Sequence, residues 1–501
     1  MKTSTKIENT SFRYFIFKEK KTDILIIIIL CVAEFILLKS LYPFPSFFAD
    51  SYAYIFGADL NLRVNIWPIG YSWFLAIFHL ITSSDKALIC FQFFAYLFSA
   101  GYFYHSVLYF YPISRFGRIC LSIFLFFNPL FLYLSNYVSS DILFISMSMI
   151  WITQLIWILQ RPRLYRVFIE AGLLFFLFAF RYNALIYPFI ASFVFLVIHR
   201  KVTFKIFGML IGPILIIPFI IWSAHAAKNM TGVAQFPPIL GGWQWANNAL
   251  YMREYIEVDS TAFPTTEIVE LDRMARTYFR TFPPQHRNLS ECPVNFFIVH
   301  QEAPLHVYVA KKYPIKTYSQ IVFAWGKTAV IFDQYGKYLI KRYPLAFFQH
   351  YLLLNAKKYF LPPLEELSMY NDNNSAVWPI AKTWFQFPSR KIEFISTTAQ
   401  SSILGIFPYL FLTVNVLYSI ALLVFVGVKA YKLATPVLNQ TIFIISLFLG
   451  LNFAFSVFAN IIVLRYQIFP MIIFLVFTLV IAGRLQLYFR QASGESIKGL
   501  H

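Results

Sequence analysis

The chain has 501 residues, of which 59% are hydrophobic, 20% aromatic and only 13% charged, with a mean hydropathy of +0.62. So few charges cannot keep the surface of a protein this large wet, and the composition excludes a soluble enzyme, a disordered chain and a nucleic-acid module. The net charge of +19, from 42 Lys+Arg against 23 Asp+Glu, fits the basic loops of a membrane protein rather than a nucleic-acid face.

Apolar runs that cross or nearly cross a bilayer fall at 22–41, 86–107, 117–136, 140–159, 165–180, 182–198, 205–222, 404–428, 440–461 and 466–484. They are continuous rather than alternating, which predicts helices and not a barrel. The chain is therefore read as an all-α polytopic membrane protein. Seven spans make a core over 1–222, and a large, mainly helical loop domain covers 223–403. Three further spans make a C-terminal module over 404–485, followed by a tail over 486–501. A short Pro-led stretch at 67–82, WPIGYSWFLAIFHLIT, predicts a helix lying at the membrane surface inside a first loop of 42–85. The basic N-terminus lacks a small-residue cleavage site, so the first span is expected to be uncleaved.

Charge placement gives the orientation. With the N-terminus inside, 19 Lys and Arg, from Lys2 and Lys6 to Lys498, fall in cytoplasmic stretches. Only Lys39, Arg63, Lys86, Arg181 and Arg465 fall in short outside stretches. This bias predicts a cytoplasmic (inner) membrane location with both termini inside and the 223–403 loop extracytoplasmic. It also predicts that the chain turns at Arg181 and at Arg465. The loop holds the Pro pairs Pro237-Pro238, Pro283-Pro284 and Pro362-Pro363, and its single Cys292 excludes an internal disulfide. Its 335–361 stretch is amphipathic and aromatic, and is expected to dock in part on the bilayer. Gly241-Gly242-Trp243-Gln244-Trp245 with Asn247-Asn248 fits either a sugar-contacting face or a packed turn. The sequons at Asn229 and Asn288 are expected to be chance. Cys31, Cys90 and Cys120 sit in apolar segments without metal-ligand spacing.

An acid at membrane depth costs roughly 2.5–3.5 kcal/mol on insertion scales, so acids near the spans are functional candidates. Asp50, Asp59, Asp85 and Asp141 lie at the outside-facing end. Asp50 stands among aromatics in PFPSFFADSYAYIFGADL, a setting suited to a general base, or to a helix cap before YAYIF. Asp141 follows Ser139-Ser140 and fits a cap or a site acid. Glu34 fits a polar cavity or a snorkelling side chain, and Glu170, near the cytoplasmic end, is expected to be interfacial. Arg181 (FRYNALIYP) and Arg465 (LRYQIFP) fit a bidentate phosphate clamp, or interfacial arginines beside belt tyrosines. No GxGxxG, P-loop, HExxH or GxSxG motif is present.

The order of these features resembles the GT-C superfamily of integral-membrane glycosyltransferases, with the closest look to the branch of protein O-mannosyltransferases and the lipid A aminoarabinose transferase. The features are a first-loop Asp50 with Tyr52-Ala53, a surface helix led by Trp67-Pro68 and Gly70-Tyr71, and Asn128-Pro129 ahead of Ser-Ser-Asp141. An Arg-led span at Arg181 and a late Arg465-Tyr466-x-x-x-Pro470 complete the set. The likeness covers about 22–222 and is weak over the loop. It implies a seven-helix core and inverting transfer of a sugar from a polyprenyl-phosphate donor to a hydroxyl acceptor in a lipid, glycan or protein. It implies Asp50 as base and Asp141 as the residue that orients the acceptor or helps hold a divalent cation. Arg181, Arg465 and Arg63 are implied as donor-phosphate ligands, and Tyr52, Tyr182 and Tyr466 as substrate-binding. Two departures stand out: Ser51 replaces a second acid after Asp50, and Asn65-Ile66-Trp67, rather than a Lys, precedes Pro68. Membrane lipids are the other expected partners, with no nucleic acid. Two other functions compete. One is a glycan ligase or polymerase leaning on loop residues such as Arg342 or His350. The other is a lipid-linked sugar flippase, although no inverted repeat is visible.

Overall fold

Residues 21–41 carry one apolar run bounded by Lys21 and by the Lys39-Ser40 edge, and they form α1 (Lys21–Leu41). The protein is described from a computed structural model over residues 11–282, 296–396 and 398–493. Lys2, Lys6, Pro283-Pro284, the Asn288 sequon, Cys292 and Lys498 lie outside the described residues. After α1 the chain makes α2 (Ala49–Asp59), α3 (Gly70–Ile81), α4 (Asp85–Phe110) and α5 (Arg115–Phe126). Pro129 has no N–H to continue α5, so the helix stops and restarts as α6 (Pro129–Ser135), with Asn128 Oδ1 accepting from Leu130 N at 3.0 Å. Then come α7 (Asp141–Gln160), α8 (Leu164–Phe180), α9 (Tyr187–Val197) and α10 (Val202–Thr231).

The long loop is helical, as composition predicts, with α11 (Leu240–Arg253), α12 (Thr266–Thr281), α13 (Pro304–Lys312), α14 (Tyr318–Arg342) and α15 (Leu353–Phe360) as its longer helices. The chain closes with α16 (Phe407–Gly427), α17 (Pro436–Ala459) and α18 (Leu464–Ala492). Among the described residues no strand forms, only isolated bridges at Ser46–Tyr137 and Ala376–Lys391.

Among the described residues eight helices are long and apolar enough to cross a membrane: α1, α4, the α5–α6 pair, α7, α10, Ala399–Gly427, α17 and α18. The chain is a multi-pass helical membrane protein. Side chains such as Ile36 and Leu37 of α1, Ile221 of α10 and Leu423 of α16 are largely uncovered by protein, and hydrocarbon covers them at no cost. The helices expected at 165–180 and 182–198 are present with the turn at Arg181 between them, but they are shorter than the eight: α8 has 17 residues, and a 3-10 turn at Tyr182–Ile186 runs into the 11 residues of α9. At 1.5 Å per residue, 17 residues reach about 26 Å, at the short end of the range for a span. The extended backbone at Arg181 separates the two. The boundaries at 222 and 485 fall inside α10 and α18, so neither marks the end of an element. α7 is the central pillar, with 89% of its apolar window buried, against 17% for α1.

The 223–403 loop divides in two. Residues 239–351 enclose their own apolar core around Trp243, Leu271, Phe332 and Tyr335. α11 and α14 cross closely there, because Gly242 lies against the Ala329 carbonyl and Gly336 against Trp245. Residues 359–392 instead join the core of the membrane helices through Tyr359, Leu367, Tyr370, Val377 and Ala381. The Gly241–Asn248 segment is packed inside the first core, as a helix rather than a turn. Trp243 is fully buried and stacked on Trp325 at 3.9 Å, and Asn247 and Asn248 are buried too, so it offers no sugar face.

Candidate active site

The ends of α2, α7, α8 and α18 converge on a buried ionic cluster. α7 starts at Asp141 and α2 carries Asp50 in its first turn, where the helix dipole favours an anion. Arg181 caps the C-terminus of α8, where the dipole favours a cation. Arg465 lies in the first turn of α18, the wrong end for a cation, so its stability there depends on the acids around it. Asp50 is not the α2 cap. Ser51 Oγ accepts from Phe48 N at 3.2 Å, which leaves the Asp50 carboxylate free for the cluster.

Arg465 is the hub. Its Nη1 lies 3.1 Å from Asp50 Oδ2, 3.4 Å from Asp141 Oδ2 and 3.1 Å from Glu366 Oε2. Arg181 Nη1 pairs with Asp141 Oδ1, and Ser139 Oγ donates to Asp141 Oδ2 at 3.0 Å. Both Asp141 oxygens are therefore engaged, and this acid works as the strut between two guanidiniums. Tyr466 lies between the same two arginines, with its ring centroid 4.8 Å from Arg181 Cζ and 5.2 Å from Arg465 Cζ. Its hydroxyl accepts from Arg465 Nη2 at 3.2 Å. Phe48 covers Arg465 from another side at 4.8 Å. Asp50, Asp141 and Arg465 are all less than a tenth exposed. Charges this dry interact more strongly than surface pairs and cannot be left unpaired cheaply.

Glu366 comes from the long loop, and nothing in the apolar pattern flagged it. The segment that carries it is tied down by hydrogen bonds. Tyr137 Oη meets the Glu366 and Met369 carbonyls at 2.9 and 2.7 Å, and Leu464 N donates to Pro363 O at 2.8 Å. Gln400 Nε2 donates to Tyr137 Oη at 2.7 Å, and Asn371 N to Ser46 Oγ at 3.0 Å. Neighbouring Glu365 has a φ of 53°, in the left-handed region, which costs a non-glycine residue roughly 1–2 kcal/mol. Burial pushes the Glu365 carboxyl up to about 7, against the pull of Arg465, and burial likewise raises Glu366. The signal available in sequence was the adjacent acid pair just beyond Pro362-Pro363.

The structure thus brings Asp50, Asp141, Arg181, Arg465 and Tyr466 together. Tyr52 instead stacks on Trp378 at 4.4 Å, and Tyr182 packs against Phe236 at 5.0 Å. Arg63 is exposed and has no ion pair among the described residues. Among the described residues no group of three or more His, Cys, Asp or Glu side chains is placed to hold a metal ion. The carboxylates here face guanidiniums, and a dication would have to displace them. Asp59 is exposed at the end of α2, Asp85 opens α4, and Glu170 is buried with Trp151 Nε1 donating to it at 3.3 Å. No family model matches the chain, and no curated protein or solved structure matches it.

Proposed function

We propose that the cluster is the catalytic centre of an inverting glycosyltransferase that uses a polyprenyl-phosphate sugar and a hydroxyl acceptor at the extracytoplasmic face of the inner membrane. The observation that supports it best is the buried Asp50–Arg465–Asp141–Arg181 array. It sets one carboxylate able to take a proton beside two guanidiniums able to take a phosphate, at the end of apolar helices that suit a prenyl chain.

The chemistry balances within that array. Asp50 takes the proton of the acceptor hydroxyl, whose oxygen forms a bond to the anomeric carbon as the bond from that carbon to the phosphate oxygen breaks. The donor phosphodiester leaves as polyprenyl phosphate with one added negative charge, which Arg465 and Arg181 stabilise in a low-dielectric site. Asp141 positions both arginines. Tyr466 keeps the two guanidinium planes in place.

The test offers radiolabelled polyprenyl-phosphate sugars and membrane extract to purified protein, wild type against Asp50→Asn. Label should move to product with wild type only, with both proteins folded. A fully active Asp50→Asn variant would sink the assignment.

A further inference from the structure

The hydrogen bonds of Arg465 are unevenly spent. Its Nη1 has two N–H groups, and these go to Asp50 Oδ2 at 3.1 Å and Asp141 Oδ2 at 3.4 Å. Glu366 Oε2 stands 3.1 Å from that same nitrogen, yet it receives no hydrogen bond among the described residues. Arg465 Nε, on a residue 7% exposed, also finds no hydrogen-bond partner among the described residues. A buried guanidinium N–H without an acceptor is costly and uncommon, and it marks a place where an acceptor oxygen belongs.

We propose that Glu366 stands on Arg465 in the place of a phosphate, and that the anionic phosphate of a lipid-linked ligand binds by displacing it. This rests on the transferase reading above, and it adds the residue that competes for the donor's site. Three observations support the exchange. A tetrahedral phosphate offers more acceptor oxygens than a carboxylate and can serve Nε as well as the Nη groups. Asp50, Asp141 and Glu366 already crowd Arg465 Nη1, so a phosphate oxygen gains room on that nitrogen when one of them moves away. Of the three acids, Glu366 is the one free to leave. It is 22% exposed at the side chain, against 11% for Asp50 and 3% for Asp141, and it sits on a non-α segment beside the strained Glu365 rather than on a helix end. Withdrawal of Glu366 would strain the hydrogen bonds from Tyr137 Oη to the Glu366 and Met369 carbonyls and so loosen residues 361–374.

The experiment uses the full chain in lipid nanodiscs and measures binding of a polyprenyl monophosphate, the matching polyprenol and inorganic phosphate to wild type and to Glu366→Gln. The amide keeps the shape and removes the competing charge. We expect the variant to bind polyprenyl monophosphate about tenfold more tightly, the effect of ~1.4 kcal/mol of lost competition, with polyprenol unchanged. A gain restricted to the lipid phosphate assigns the site to a lipid, an equal gain for inorganic phosphate assigns it to free phosphate, and both support displacement. Equal or weaker phosphate binding by a folded variant overturns the proposal while leaving the transferase reading intact. If neither protein prefers polyprenyl monophosphate over polyprenol, the transferase reading fails and the proposal with it. Hydrogen exchange on wild type is independent of the variant's folding. Adding polyprenyl monophosphate should speed exchange in 361–374 and leave 240–253 unchanged, whereas no change in 361–374 overturns the displacement.

Discussion

Two buried arginines in this protein are paired in opposite ways. Arg253, inside the core formed by 239–351, faces one carboxylate. Its Nε and Nη2 donate to the two oxygens of Asp272 at 2.6 and 2.9 Å, Tyr335 Oη donates to Asp272 at 3.0 Å, and Arg253 Nη1 donates to the Ile256 carbonyl at 3.0 Å. That is a fork-to-fork pair in which every Arg253 nitrogen finds an acceptor, and Arg276 Nε adds a second guanidinium 3.2 Å from Asp272 Oδ2. Arg465 faces three carboxylates through a single nitrogen, and its Nε has no partner among the described residues. The first arrangement has nothing left to offer a ligand and serves the fold. The second is over-supplied with acid and under-supplied with hydrogen bonds, which suits a group that must change partners. The segments around them follow the same division, since 239–351 closes a core of its own and 359–392 borrows the core of the membrane helices.

The comparison can be broken most severely at its two centres. Arg465→Ala should lower transfer by about 10²–10³-fold, the usual effect of losing one charge-stabilising donor, in a label-transfer assay. Lysine at 465 should restore little, because it lacks the fork. Asp272→Ala should destabilise the 239–351 core by about 3–5 kcal/mol by leaving Arg253 buried and unpaired. Exchange should then rise across 240–281, with turnover per folded molecule within about twofold of wild type. Transfer that falls as far in Asp272→Ala as in Arg465→Ala would erase the distinction.

Smaller changes sharpen it. Tyr137→Phe removes the hydroxyl that meets the Glu366 and Met369 carbonyls and should cost about 1–3 kcal/mol. Faster hydrogen exchange should appear in 361–374 and not in 240–253. A further effect is on pH. Glu365 holds its proton up to about 7 in the folded chain because it is buried, against 4.5 for the free side chain. Between those values the folded state binds more protons than the unfolded one, so stability falls as pH rises through that window. Melting in detergent should therefore occur at a lower temperature at pH 8 than at pH 5, and Glu365→Gln should flatten that slope. A steeper slope in the variant would assign the dependence to another group.

How much of this was legible in the sequence depends on range. Apolar length located α1, α4, α7, α10 and α18 to within a few residues at most ends, because hydropathy is a local property and a span has no other requirement. Local breakers were equally readable, since the chain turns at Arg181 and restarts at Pro129. The same pattern located α8 and α9, which are shorter than the eight long apolar helices. Four of the five cluster residues recognised from sequence lie at helix ends, where charge next to an apolar run is visible. Glu366 was not legible, because its role comes from a loop that folds back about 100 residues ahead of Arg465 in the chain. The Trp243 segment misled for the same reason: its aromatics and amides suit a ligand or a core, and only long-range packing against Trp325 decides between them. Tyr182 and Tyr466 share an Arg-Tyr context, yet only Tyr466 reaches both guanidiniums.

The central claim is bond chemistry at Asp50 and Arg465 rather than passage of an intact lipid. Its most direct test is a mass balance in sealed proteoliposomes loaded with a polyprenyl-phosphate sugar and a hydroxyl acceptor. The account predicts one polyprenyl monophosphate released per sugar transferred, with inverted anomeric configuration in the product. Intact donor moved to the opposite leaflet, with no polyprenyl monophosphate formed, would contradict it.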